Sequence, residues 1–185
     1  YLTDNEISKN KDYLESLIKK DERKICSLIL GGPTKYYDYS KKNIENIFST
    51  LKEFLKKNDF QLVVIPSMRT PKTSIDYAAK YFGKNHTIIE KVDKRAYLSA
   101  LCVSKNIVVT CDSSSMISEA ALTGKPIYVA NILPRKSDKR FQKFRNLFRE
   151  LNIIRNLGEE EENWNYQKLD ETHRVAKIIK KKINI

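Results

Sequence analysis

The feature that most limits what this chain can fold into is a regular alternation. Short unbroken apolar runs recur along it, each followed by a longer amphipathic stretch. The runs are 24–30 (KICSLIL), 61–65 (QLVVI), 86–90 (HTIIE), 106–110 (NIVVT) and 126–130 (PIYVA), with a short sixth at 153–155. Between and after them, helical spacing of apolar residues covers 41–57, 71–82, 94–104, 114–123, 138–151 and 172–183. In the first of these, Ile44, Ile47, Phe48, Leu51, Phe54 and Leu55 share a face, and Ser40 is placed to cap it. Pro71 opens the second, Gly83 stops it, and Gly124 closes the fourth. Strands that alternate with helices of ten or more residues form β-α-β units, hence a parallel sheet. Runs that are apolar throughout mark strands covered on both faces. The expected fold is α/β: one doubly wound, Rossmann-like domain over 24–185. Residues 1–23 read as a polar lead-in carrying one amphipathic interdomain helix, with Tyr13, Leu14, Leu17 and Ile18 on its apolar side.

With 185 residues the chain has room for one domain. It does not start with Met, so Tyr1 reads as the start of a fragment or a processed chain. No run approaches the roughly 20 apolar residues of a membrane span, and the start of the sequence shows no signal-peptide pattern. The charge is unusual: 35 basic against 23 acidic residues gives +12. Nucleic acid, an anionic membrane surface or a phosphorylated ligand would each suit it. So would the lysine bias of an AT-rich bacterial genome, since Lys supplies 26 of the 35. Nucleic acid is the weakest of these, for the sequence lacks interleaved stacking aromatics and paired metal-binding carboxylates. Three cysteines without CxxC spacing point to a reducing, cytoplasmic setting and to no zinc site. His86 and His173 stand alone and read as structural or surface residues.

In a doubly wound sheet, ligands bind beyond the carboxyl ends of the strands. That rule selects the loops 31–37, 67–71, 90–93, 111–115 and 131–138. Gly31-Gly32-Pro33-Thr34 follows the first strand. Two glycines let backbone N–H groups approach an anion, or simply make a tight turn. Neither G-x-G-x-x-G nor G-x-x-x-x-G-K-[ST] occurs, which disfavours dinucleotide and P-loop sites. Ser67-Met68-Arg69-Thr70-Pro71 places an arginine and two hydroxyls at a helix entrance, where Arg can grip a phosphate with two hydrogen bonds or lie on the surface. The richest stretch is Cys111-Asp112-Ser113-Ser114-Ser115-Met116-Ile117-Ser118-Glu119. Hydroxyls between a buried strand and a helix start suit a phosphate. Glu119, four residues past Ser115, can accept both hydroxyls of a ribose. The alternative is a capping pattern that only starts the helix well. Asp112 is read as capping or orienting.

Together these segments carry a family resemblance. LGGPTKYY (30–37), PSMRTP (66–71), VTCDSSSMISEA (109–120), GKPIYV (124–129), RFQKF (140–144) and WNYQKLDETHRVA (164–176) occur in order. The set resembles the mitochondrial-fission Elm-type family, related to GT-B glycosyltransferases, and covers the chain from about residue 24 onward. The resemblance implies the C-terminal, nucleotide-sugar-binding half of a two-domain GT-B protein whose N-terminal domain lies outside this sequence. It places Glu119 at the ribose. Ser113, Ser114, Ser115 and Met116, with Gly31, Gly32, Pro33 and Thr34, would lie at the diphosphate. Arg69 would offset its charge, with Thr70 beside it among the substrate-binding residues, and the backbone of Ile89, Glu90 and Lys91 would face the base. Of an Asn-Pro-Tyr run common after the third strand, only Tyr97 is kept.

Two functions follow from the resemblance. One is sugar transfer from a nucleoside diphosphate donor, with no cofactor and no metal, because Arg69 and helix dipoles would stabilise the leaving diphosphate. No catalytic residue is identified in this chain for it. The other is a non-catalytic adaptor that keeps a nucleotide-binding scaffold and acts by protein contact. The basic helix 138–151 either packs through its Phe/Leu face or touches the inner face of a membrane.

Overall fold

The computed structural model describes residues 2–19, 22–159, 164–169 and 171–183. The apolar runs form one parallel sheet: β1 Lys24–Leu30, β2 Phe60–Pro66, β3 Thr87–Ile88, β4 Asn106–Thr110, β5 Ile127–Ala130 and β6 Ile154–Asn156. The spatial order is β3-β2-β1-β4-β5-β6. β1 and β4 sit at its centre, with Ile29 beside Val109, and every residue of β2, β4 and β5 is buried. That is why these runs are apolar without alternation.

Helices cover both faces. α2 (Lys41–Asn58) buries the six residues its periodicity marked, and Ser40 Oγ accepts from the Asn43 amide at its start. Each such side chain contributes about 1.5–3 kcal/mol by leaving water. α3 (Lys72–Phe82), α4 (Lys94–Val103) and α5 (Ser114–Ala121) follow β2, β3 and β4. α6 (Lys139–Glu150) follows β5 and is bound to the domain through few buried side chains, Phe148 being the buried one. α7 (Glu171–Lys182) ends the fold with Val175, Ile178 and Ile179 exposed. Before it, Trp164 packs edge-on to Tyr128, and the Tyr166 hydroxyl donates to the Lys125 carbonyl at 2.8 Å. Of the acidic loop, residues 160–162 lie outside the described residues.

Two expectations change. The third apolar run pairs over only two residues. His86 Nδ1 accepts the Leu62 amide at 3.0 Å, so a side chain takes the place of a ladder acceptor there. The lead-in is not one helix through Tyr13–Ile18. It is α1 (Asp4–Lys9) and then a 3-10 helix over Lys11–Ser16. Asn10 breaks the two apart: its side chain donates to the Glu6 carbonyl at 2.8 Å and its amide to Ile7. Leu14 is fully buried, and its amide donates to Ser99 Oγ on α4, whereas Leu17 is exposed. The segment therefore packs on the domain.

Candidate functional site

The chain order reverses between β1 and β4, and a doubly wound sheet opens a crevice at that point. The loops that leave these two strands meet there. The Gly31 amide donates to Thr110 Oγ1 at 2.8 Å, and the Gly32 amide to Asp112 Oδ2 at 3.2 Å. Pro33 has no N–H, and the Thr34 amide is bound to the Tyr37 carbonyl at 2.9 Å. All amides of Gly31–Thr34 are thus committed within the protein, which corrects the expectation that they face an anion. The glycines serve close packing. A Cβ on Gly31 would stand 2.3 Å from Asp112 Oδ2, and one on Gly32 1.9 Å from the Arg69 carbonyl oxygen.

Asp112 ties the crevice together. Its buried carboxylate accepts from the Gly32 amide, from the Tyr39 hydroxyl and from Arg69 Nη2 at 2.9 Å. Arg69 Nη1 donates to the Gly32 carbonyl at 3.2 Å. The Arg69 charge is therefore offset inside the protein rather than held ready for a phosphate. Thr70 is likewise turned inward: its Oγ1 lies 2.6 Å from the Leu30 carbonyl and accepts the Ser67 amide at 2.7 Å. Burial pushes the Tyr39 phenol well above its ordinary range, and the Asp112 charge and hydrogen bond add to this, so it stays a donor.

The serine run divides its work. Ser113 is the N-cap of α5, its Oγ accepting the Met116 amide at 3.4 Å. Met116 itself packs toward the core. The amides of Ser114 and Ser115 begin the helix and have no acceptor within it. Ser114, Ser115, Ser118 and Glu119 form one wall of a cleft of about 570 Å³, and Arg140, Phe141 and Phe144 of α6 form the other. That size is within the range of small-molecule sites. Glu119 is held in place. The half-buried Tyr97 donates to its Oε2 at 2.5 Å, and burial, then the Glu119 charge, raise the Tyr97 pKa far out of reach of ordinary pH.

Residues 89–91 lie on the loop that leads into α4. The Ile89 amide is bound to the Val64 carbonyl at 3.0 Å, while Glu90 and Lys91 are exposed. Ile89 thus extends the sheet edge instead of presenting its N–H. β3 is the outermost strand on its side, two strands from the crevice.

The structure also brings in residues that sequence reasoning assigned to packing or membrane contact. α6 is fastened by a buried cluster. Asp138 accepts from the Tyr37 hydroxyl, from Arg145 Nη2 at 3.0 Å and from Gln142 Nε2 at 2.6 Å. Burial alone would raise the Asp138 carboxyl, but the Tyr37 and Arg145 hydrogen bonds and the Arg145 charge outweigh it and hold the group below its ordinary range. Phe141 meets Tyr36 and Tyr37 edge-on, with ring centroids 5.4 and 5.9 Å away. The Arg135 side chain pairs with Asp38 at 2.8 Å and ties the loop after β5 to the loop after β1. These contacts set the first turn of α6 across from α5. The available signal was positional: RFQKF begins just after the β5 loop, at the same sheet edge as the serines. Among the described residues, no group of three or more His, Cys, Asp and Glu side chains converges as a metal site. Among them, too, no helix is long and apolar enough to cross a membrane.

A six-stranded parallel sheet whose order reverses at its centre, with helices on both faces and a cleft between α5 and α6, places the chain among doubly wound Rossmann-like domains of the GT-B type. Solved structures agree on the fold. A UDP-GlcNAc 2-epimerase from Neisseria meningitidis bound to UDP-GlcNAc aligns over 83% of this chain and 36% of its own, with 18% identity and a TM-score of 0.51. A putative UDP-N-acetylglucosamine 2-epimerase from Listeria monocytogenes aligns over 80% and 38%, with 17% identity and a TM-score of 0.53. The family model described as Mitochondrial fission ELM1 matches residues 1–183, and the chain belongs to that family. Relatives include a Rickettsia prowazekii (strain Madrid E) protein named "Uncharacterized protein RP120". It is 30% identical over 85% of this chain and 46% of its own length. The Arabidopsis thaliana "Mitochondrial fission protein ELM1" is 31% identical over 63% of this chain and 28% of its own. The chain therefore spans less than half the length of these curated relatives.

Proposed function

We propose that this domain binds the nucleoside diphosphate-sugar donor of a GT-B-like glycosyltransferase. The observation that carries the reading is the cleft between α5 and α6, the helices that follow β4 and β5. In it, a carboxylate fixed by a half-buried tyrosine stands one turn from the open amides of a helix start. Glu119 accepts the ribose hydroxyls. The Ser114 and Ser115 amides, with the positive end of α5, take the diphosphate. As the bond from the anomeric carbon to the diphosphate breaks, these donors stabilise the charge that develops, without calling on a metal. The UDP-GlcNAc bound to the Neisseria meningitidis epimerase makes uridine diphosphate sugars the first to try. The proton-accepting group and the acceptor site belong to the part of the protein beyond this domain.

A thermal-shift panel of UDP-, GDP-, ADP- and CMP-sugars tests this. At a hundredfold excess over Kd, binding adds about 2.7 kcal/mol, which for a domain of this size raises the melting temperature by roughly 5–10 °C. Glu119→Gln is expected to remove the shift and leave the unliganded melting temperature in place. A flat response to every nucleotide-sugar would instead favour the second reading, an adaptor that acts by protein contact. The family description, mitochondrial fission, gives that reading its support.

A further inference from the structure

We propose that Arg140 on α6, rather than Arg69, is the cation that pairs with the phosphate groups of the ligand in this cleft. The inference rests on the nucleotide reading of the same site and adds to it the residue that recognises the anion.

The argument is one of charge already spent. Arg69 faces Asp112 at 2.9 Å, Arg135 faces Asp38 at 2.8 Å, Arg145 faces Asp138 at 3.0 Å, and Arg149 faces Glu159 at 2.5 Å. Among the described residues, all the arginines of α6 but Arg140, and the arginines of the loops after β2 and β5, have a carboxylate partner. Among the described residues, Arg140 pairs with no carboxylate, Glu119 across the cleft included. An arginine neutralised at contact distance attracts a second anion weakly, because the incoming charge meets the near-zero net charge of the pair. Arg140 keeps its full charge, and its fork can engage two phosphate oxygens at once.

Position supports the same assignment. Arg140 lines the cleft wall opposite Ser114 and Ser115. Its backbone is fixed on both sides: Asp138 is locked by Tyr37, Gln142 and Arg145, and Phe141 is wedged against Tyr36 and Tyr37. The arrangement holds the guanidinium's base still and leaves its head uncommitted. Glu119 repels an anion from the far end of the wall, so the phosphates sit toward Ser114 and Ser115, between the helix start and Arg140.

The test is calorimetric titration of the full chain with UDP, ADP, GDP and inorganic pyrophosphate, using wild type, Arg140→Gln, Arg140→Lys and Arg69→Gln. Arg140 is exposed and makes no contact that the fold needs, so Arg140→Gln is expected to melt as wild type does. It should weaken nucleoside diphosphate and pyrophosphate binding at least tenfold, Arg140→Lys should recover part of the loss, and Arg69→Gln should have the smaller effect. If wild type binds and Arg140→Gln binds equally well, the assignment is overturned while the nucleotide reading stands. If pyrophosphate binds through Arg140 but no nucleotide binds more tightly than pyrophosphate, the nucleotide reading falls and the anion site remains. If wild type binds neither, both fall.

Discussion

Separating Asp138 from Arg145 should loosen the wall of the cleft and cost most of what a buried ion pair can cost. The Asp138 side chain is fully buried, and the Arg145 side chain is 15% exposed. Three donors converge on the carboxylate, and Arg145 also reaches the Tyr37 hydroxyl at 3.0 Å and the Cys111 carbonyl at 3.3 Å. Removing one partner of a buried pair leaves the other uncompensated, which costs about 3–5 kcal/mol. Arg145 keeps some access to water, so Asp138→Asn and Arg145→Met should each lie near the lower end, about 3 kcal/mol. With a urea dependence of about 2 kcal/mol/M, the unfolding midpoint should fall by about 1.5 M. The double variant should lose far less than the sum, with a coupling of about 2–3 kcal/mol.

Acid adds an independent reading of the same group. Folding holds the Asp138 carboxyl below its ordinary value, so the folded chain favours the ionised form. The stabilisation is complete above about pH 4, the value of a free aspartate, and is lost as the pH falls through the folded value. The urea midpoint of wild type should therefore decline below about pH 4 more steeply than that of Asp138→Asn. A midpoint shift under about 0.5 M at neutral pH, or simple additivity in the double variant, would refute the reasoning.

Two further outcomes follow from contacts at the crevice. Gly32→Ala drives a Cβ to 1.9 Å from the Arg69 carbonyl oxygen, a backbone atom that cannot swing aside. It should destabilise by roughly 3 kcal/mol or more, read as a lowered melting temperature. A melting temperature within a degree or two of wild type would show that the two loops do not pack as described. Tyr97→Phe removes the donor that fixes Glu119. On the proposed function it should weaken nucleoside diphosphate binding about tenfold and shrink the preference for ribose over 2′-deoxyribose. A fall in stability with the ribose preference intact would make Tyr97 a packing residue only.

Much of the fold was legible in the sequence because strands and helices are written locally. Period and apolar content place the six strands and the helices from α2 onward within a few residues, and the run 106–119 marks one wall of the cleft. The lead-in was misread because Asn10, a local breaker, was outweighed by the apolar spacing of Tyr13, Leu14, Leu17 and Ile18. Leu14 is buried by α4, which lies about eighty residues away in the chain.

The sequence by itself determined the class of the domain, and the presence at the carboxyl ends of its strands of Glu119 and a serine-capped helix. Only the tertiary structure decided which polar groups are already spent. Gly31, Gly32, Arg69 and Thr70 have the composition of an anion site, yet their donors turn to Thr110, Asp112 and the end of β1. Conversely, Arg140 looked like one more charge on a basic helix until α6 was docked by Asp138 and Arg145. Whether a donor is free depends on neighbours some forty to eighty residues distant, and no local pattern records them.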